Sequence, residues 1–252
     1  MTALLAILMP GIIIQNPKSL LSLAVFKMNI MKKNILLVWI MMMVTYPIRS
    51  QTVNWYALNA KEKHILNANI GTEYGVIFGL GYGYHFDNRF FPLIIGAEAS
   101  IPSGNTLLDD FKVKAGAHVR WAKIHDVQFS TRIQGIFRKF ENKNVAISNF
   151  GVDMAGVIGY YRPTWFAGGE VGFDKAIVTH FRHSEHYKEI YPEVKNGWYE
   201  PATGGNFYYG IQGGYSFSRQ EVYVKLGNIV SQDFKTKPRL PFLVQIGYNY
   251  KL

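Results

Sequence analysis

Along residues 74–86 the even positions are Tyr74, Val76, Phe78, Leu80, Tyr82, Tyr84 and Phe86, and the odd ones are Gly75, Ile77, Gly79, Gly81, Gly83 and His85. A period of two sends alternate side chains to opposite faces of an extended strand, so this segment has one apolar face and one nearly bare face. Glycine inside a strand marks a surface that something else approaches closely. The same apolar register recurs in 91–101, 111–121, 127–137, 150–160, 165–173, 207–217, 222–230 and 242–252. In these segments that register carries no Lys, Arg, Asp or Glu, although 17% of the chain is charged. The opposite faces of the same strands carry Glu98, Lys112, Lys114, Arg120, Arg132, Asp153, Glu170 and Lys225.

A cation facing lipid at mid-bilayer costs about 2–4 kcal/mol, whereas one facing a wet or ion-paired lumen does not, so charge confined to one strand face suits a closed transmembrane barrel. Closure also leaves no backbone hydrogen-bonding edge in hydrocarbon. The competing architecture is a soluble, lipocalin-like calyx, which alternates just as cleanly with its apolar face turned inward around a ligand. Two features favour the membrane barrel. Tyr160, Tyr161, Trp165 and Phe166 bracket Arg162-Pro163-Thr164, and Tyr84, Phe86, Phe90 and Phe91 bracket Asp87-Asn88-Arg89, as an interfacial aromatic girdle requires. The charged face is also glycine-rich, which suits a narrow interior better than a solvated exterior.

Short connections at 87–90, 122–126, 161–164 and 218–221 alternate with longer ones at 102–110, 138–149, 182–206 and 231–241. Outer-membrane barrels turn tightly on the periplasmic side, loop widely outside, and have an even strand number. The segments named above are odd in number. Residues 64–70, with Leu66, Ala68 and Ile70 on the apolar face, supply the missing strand, and Gly71-Thr72-Glu73 turns outside. The expectation is an all-β fold: a single up-and-down antiparallel transmembrane barrel over residues 64–252 with about 10 strands, 8 being the alternative.

Ahead of the strands, Met31-Lys32-Lys33, an apolar run over 35–44 and Tyr46-Pro47-Ile48-Arg49-Ser50 follow the charged, apolar and small-residue order of a secretory signal peptide, with cleavage expected after Ser50. The apolar run falls well short of the roughly 20 residues a transmembrane helix needs. Residues 1–50 therefore read as an N-terminal extension and cleaved signal peptide. Translation from Met28 or Met31 accounts for the first part, and an unusually long leader is the alternative. Residues 51–63, with Trp55, Tyr56 and Lys61-Glu62-Lys63, read as a periplasmic lead-in.

Removing residues 1–50 takes away Lys18, Lys27, Lys32, Lys33 and Arg49 and no acid, so the formal charge falls from +10 to +5. Without a basic run or a nucleic-acid motif, nucleic acid is not an expected partner. The chain has no cysteine, which excludes disulfides, thiolate metal sites and acylation of a lipoprotein cysteine. No cofactor is expected, and contact with outer-membrane lipid comes from the fold itself.

The leader, the alternating strands and the terminal segment 242–252, with Phe242, Val244, Ile246, Tyr248 and Tyr250 in one register, resemble the small outer-membrane β-barrel proteins of Gram-negative bacteria. The resemblance covers roughly residues 64–252 and implies export to the outer membrane. Leu252 departs from it, because such barrels usually end on an aromatic residue.

The longest loop, 182–206, is where chemistry has most room. His180, His183 and His186 are spaced to converge on a first-row metal if they share a helical turn, and a strand or irregular loop scatters them. Ser184, His183 and Glu185 hold the residue types of a rim hydrolase, but neighbours on an extended chain point apart, whereas a triad needs mutual contact. Trp198 and Tyr199 form either a recognition surface for an extracellular or membrane-protein partner or a cover packed over the barrel mouth. The lumenal charges pair structurally or line a narrow aqueous path. A non-enzymatic structural or surface-interaction role leads, ahead of a narrow channel and of a rim enzyme or metal-binding barrel.

Overall fold

The computed structural model describes residues 52–252 apart from 60, 74, 89, 104–108, 203 and 239. The expected signal peptide, Gln51 and Tyr74 lie outside the described residues. The strands are β1 (His64–Thr72), β2 (Val76–Phe86), β3 (Leu93–Pro102), β4 (Asp110–Ile124), β5 (Val127–Glu141), β6 (Val145–Tyr161), β7 (Trp165–His183), β8 (Gly197–Tyr199), β9 (Gly205–Phe217), β10 (Gln220–Ser231) and β11 (Phe242–Lys251). Neighbours pair antiparallel in chain order except that β7 passes directly to β9, and β1 pairs with β11. The result is a closed 10-strand up-and-down barrel. β8 lies outside the ring and pairs with the far part of β7.

The two faces of the wall are inverted relative to a soluble protein. On the exterior Leu80 is 67% exposed, Ile158 59% and Ile211 65%, while Glu221, Asn249 and Lys251 inside are at 0%. That inversion removes the calyx and leaves a barrel whose solvent is hydrocarbon, with its strand edges joined into a ring. Val, Ile, Phe and Tyr on the outward register are also the residues that pack best on a pleated surface.

Aromatic pairs form two belts around this exterior. One holds Tyr84 with Phe86 at 4.6 Å, Phe91 with Trp121 at 5.4 Å and Tyr160 with Trp165 at 5.6 Å. The other holds Phe111 with Phe137 at 5.9 Å, Phe137 with Phe150 at 5.0 Å and Phe173 with Phe207 at 4.5 Å. Phe111 to Trp121 on β4 and Phe150 to Tyr160 on β6 span equal lengths of chain. That length is about 33 Å of strand, or roughly 24 Å of height at a tilt of about 45°, close to the apolar band of an outer-membrane barrel.

At the lower belt the turns are tight. β4–β5 and β9–β10 are joined by two residues each, with His125 and Ser218 at φ 55°, the left-handed conformation that brings two twisted strands together. The opposite end differs from the sequence expectation. In place of a long loop over 138–149, β5 and β6 remain paired out to Glu141 and Ala146. Asn142 turns the chain by accepting the backbone N–H groups of Asn144 and Val145, both at 2.9 Å, an Asx arrangement. Residues 182–206 likewise hold the end of β7, a helix α1 (Glu185–Ile190) and β8.

The segment before β1 enters the barrel. Thr52, Val53, Asn54 and Trp55 are all buried, and a 3-10 turn at Trp55–Ala57 follows. Val53 and Trp55 join Ile65, Ile94, Tyr161, Phe166 and Tyr223 in one apolar cluster inside the turn-side half of the barrel, with Leu58 packed against it.

Candidate functional site

The site is the lumen, and its floor is residues 52–57. The strand ends next to the tight turns supply polar groups that hold this segment. The backbone N–H of Asn54 donates to both carboxylate oxygens of Glu221 at 3.1 Å, and its side-chain amide donates to the Arg162 carbonyl at 2.9 Å and Ser216 Oγ at 3.1 Å. Asn249 Nδ2 donates to the Thr52 carbonyl at 2.7 Å and to Glu221 Oε1 at 2.9 Å. Lys251 Nζ sits 3.1 Å from Glu221 Oε2 and donates to the Ala57 carbonyl at 3.3 Å. On the other side Trp55 meets His118 edge-on at 4.9 Å and His85 at 6.4 Å, with the Arg120 guanidinium 5.7 Å from its ring.

Above the floor lies a cavity of about 800 Å³ that extends to the outer loops at Glu73, Gly75, Pro238 and Leu240. Its charges are organised around two carboxylates. Glu170 takes Arg132 on one oxygen and Lys225 on the other, at 2.5 and 2.7 Å. Arg132 Nη2 also donates to the Tyr208 hydroxyl at 3.1 Å, and that hydroxyl donates to Asp153 at 2.5 Å. Near the loops, Glu73 Oε1 receives Lys112 Nζ at 2.9 Å and Lys114 Nζ at 2.5 Å. Burial pushes the Glu73 carboxyl up, but the two ammonium groups outweigh it and hold it well below the usual carboxylate range. Arg138 clasps Asp110 through Nε and Nη2 at 2.9 and 2.6 Å, a two-pronged geometry suited to guanidinium and carboxylate.

Each residue singled out from sequence has a definite place. Glu98, Lys112, Lys114, Arg132, Asp153, Glu170 and Lys225 line the cavity, and Arg120 lies lower, over Trp55. His180, His183 and His186 are not brought together. His180 packs on Trp198 at 4.8 Å, the His183 ring contacts Asn196 at 3.3 Å, and His186 is 3.8 Å from Glu189 on α1. The reason is parity: His180 and His183 lie on β7 at odd spacing and so point to opposite faces. No group of three His, Cys, Asp or Glu side chains is arranged for a metal among the described residues. Ser184 is occupied as the cap of α1, its oxygen accepting the Tyr187 N–H at 3.2 Å, while Glu185 pairs with Lys188 at 2.8 Å. Trp198 lies against Phe150 at 6.2 Å on the outer face instead of over the mouth, and Tyr199 meets Phe181 at 5.5 Å.

Sequence reasoning missed Glu73, Asp174, Glu221, Lys251 and the floor segment. Extending the inward register one residue beyond the apolar runs reaches Asp174 on β7 and Glu221 on β10, and Lys251 on β11 already lies on the inward register of the run 242–252. The floor has no such periodic signal.

No protein-family model and no curated protein matches the chain. Solved structures similar to it include a KdgM porin (11% identity, 75% of this chain and 99% of that one, TM-score 0.39) and a NanC porin (10%, 74% and 100%, 0.43). The outer membrane protein Ail of Yersinia pestis is another (11%, 76% and 99%, 0.28). TM-scores this low carry no weight for function.

Proposed function

We propose that this protein is a floored barrel of the Gram-negative outer membrane, non-enzymatic, acting as a structural or surface-interaction element and not as an open pore. The tight turns face the periplasm and the tall β5–β6–β7 wall, with α1 and β8, stands on the outside. The observation that carries the reading is the seating of residues 52–57 across the turn-side mouth, where buried groups from β10 and β11 and an apolar cluster hold it. The outer end then offers the surface for a partner, with Trp198 60% exposed on the edge strand β8.

The reading is tested by purified protein in planar bilayers at pH 7.5. Negligible conductance is expected, and large, stable single-channel steps would overturn it. The narrow-channel alternative draws on one observation, the charged cavity above the floor. It requires conductance that changes with Lys112→Ala or Arg132→Ala.

A further inference from the structure

On the lipid face, the wall between β6 and β10 carries a groove formed by two adjacent outward rows. In the upper row Gly156 pairs in register with Val171, Val171 with Tyr209 and Tyr209 with Asn228. In the row below, Ile158 pairs with Gly169, Gly169 with Ile211 and Ile211 with Leu226. Gly156 and Gly169 stand at opposite corners of one square of neighbours, and the hollow around them has a volume of about 840 Å³. A Cβ on Gly156 would meet Phe129 at 3.9 Å and one on Gly169 the Gly210 carbonyl at 3.9 Å, both ordinary contacts, so strand packing does not demand glycine at either position. The strands of such a barrel are tilted, and the groove therefore climbs as it crosses them. Gly156 is near the midpoint between Phe150 and Tyr160 on β6. Asn228, in contrast, pairs with Phe242 at the start of β11 and sits one outward position below Val230, the partner of Phe207 in the loop-side belt.

The upper end of the groove is polar. Asn228 is exposed on the outward register between Leu226 and Val230, and its side chain has no hydrogen-bond partner among the described residues. An amide facing hydrocarbon without a partner is costly, and the ester or amide carbonyl of a lipid at this depth supplies one. Above Tyr209 on the same face of β9, Phe207 carries Phe234 of the β10–β11 loop, whose ring stacks on it at 5.4 Å and is 71% exposed. Phe234 holds φ at 55°, a left-handed conformation that a bulky side chain adopts only at a cost. Asp233 fixes this turn by accepting the N–H groups of Lys235 at 3.0 Å and Thr236 at 2.9 Å and the Thr236 hydroxyl. With that carboxylate engaged in the turn, Lys235 and Lys237 are exposed and pair with no carboxylate among the described residues.

We propose that this groove and the loop above it form a binding site for one molecule of an anionic, phosphate-bearing lipid. An acyl chain lies along the groove over Gly169 and Gly156, the Asn228 amide donates to the carbonyl that joins chain to headgroup, Phe234 packs on the upper end of the chain, and Lys235 and Lys237 take the phosphate. The membrane itself supplies the occupant, because the groove opens onto hydrocarbon and the uncompensated cations at its head match an anionic headgroup. Burial of a chain in hydrocarbon is not driven by water, so selectivity comes from close packing in the groove and from the polar contacts at its head. The site lies on the opposite face of the wall from the lumen and is independent of whether the lumen conducts.

The test is native mass spectrometry of the full-length protein, processed on export, delipidated in non-ionic detergent and titrated with phosphatidylglycerol or with phosphatidylcholine of the same acyl chains. Heat-modifiable gel mobility confirms the folding of every variant. A single phosphatidylglycerol per barrel is expected, bound about tenfold more tightly than phosphatidylcholine and not displaced by inorganic phosphate. Gly169→Leu, which fills the groove from the lipid side, and Asn228→Leu are each expected to weaken phosphatidylglycerol binding several-fold. Lys235→Gln with Lys237→Gln is expected to erase the preference between the two lipids. Equal affinity for the two lipids in the unaltered protein, or binding unchanged by Gly169→Leu, would overturn the proposal. Displacement by inorganic phosphate would reduce the site to a headgroup contact without a chain and overturn it as well. A dimer of barrels that Gly169→Leu breaks would assign the groove to a second copy of this chain instead.

Discussion

Glu221 and Lys251 meet at 3.1 Å with both side chains fully buried, joining the start of β10 to the end of the closing strand directly beneath the floor. A buried pair of this kind adds little net stability over apolar residues, yet losing one partner strands the other charge and costs about 3–5 kcal/mol. Here the pair also fixes position, because Glu221 accepts the Asn54 backbone and Lys251 donates to Ala57. Glu221→Gln is expected to lower stability by about 3 kcal/mol, and Lys251→Met by a similar amount. In urea titrations followed by gel mobility, the double variant is expected to lose clearly less than the sum of the two. Simple additivity would mean the two side chains do not act as a unit.

Ile133 faces outward near the middle of the apolar band and is 50% exposed. In a soluble protein, lysine at so exposed a position would be nearly neutral. Facing hydrocarbon, Ile133→Lys is expected to cost about 2–4 kcal/mol in lipid vesicles, whereas Gln134→Lys, one residue on and facing the charged lumen, is expected to cost less. Equal effects in the same urea titration would refute the assignment of the two faces.

The faces were legible in the sequence because lipid imposes a sharp rule on every second residue, and that rule reaches from Leu66 to Tyr250. Where the strands leave the band the rule lapses. Beyond Phe137 the outward positions become Lys139 and Glu141, so 138–149 reads as a loop, although the backbone pairs to its tip. The floor was hidden for a different reason. Val53, Asn54 and Trp55 have no period, and the Glu221 carboxylate that holds Asn54 lies 167 positions later in the chain. Only the closed ring brings the two together. The histidines at 180, 183 and 186 share a face only on a helical turn, and the chain that carries them is strand to His183 before α1 begins at Glu185.

The glycines on the inner and outer faces have different reasons to be glycine. A Cβ on Gly247 would run into the Tyr223 ring inside the barrel, whereas one on Gly156 would find Phe129 at 3.9 Å on the lipid side. Gly247→Ala is expected to displace Tyr223, break its hydroxyl's bond from Asn67 Nδ2 at 3.1 Å and cost about 1–3 kcal/mol. Gly156→Ala is expected to change stability by less than about 0.5 kcal/mol. Thermal unfolding in detergent micelles compares them, and a larger loss at Gly156 would contradict the packing described.

Glu73 lies in the outer turn between β1 and β2, where Lys112 and Lys114 hold its carboxyl well below its ordinary value. A carboxylate depressed on folding contributes stability that is fully present above its unfolded pKa of about 4.3 and is lost as pH falls toward the folded value. Glu73→Gln removes that contribution. At pH 7 the variant is expected to be less stable by about 1–2 kcal/mol, a modest figure because the group is partly in contact with water. The gap between the two proteins is expected to hold from pH 7 to about 5 and to narrow progressively toward pH 3. Urea midpoints at pH 7, 5, 4 and 3 measure this, and a gap that stays constant or widens in acid would show that the two lysines do not hold Glu73 ionised.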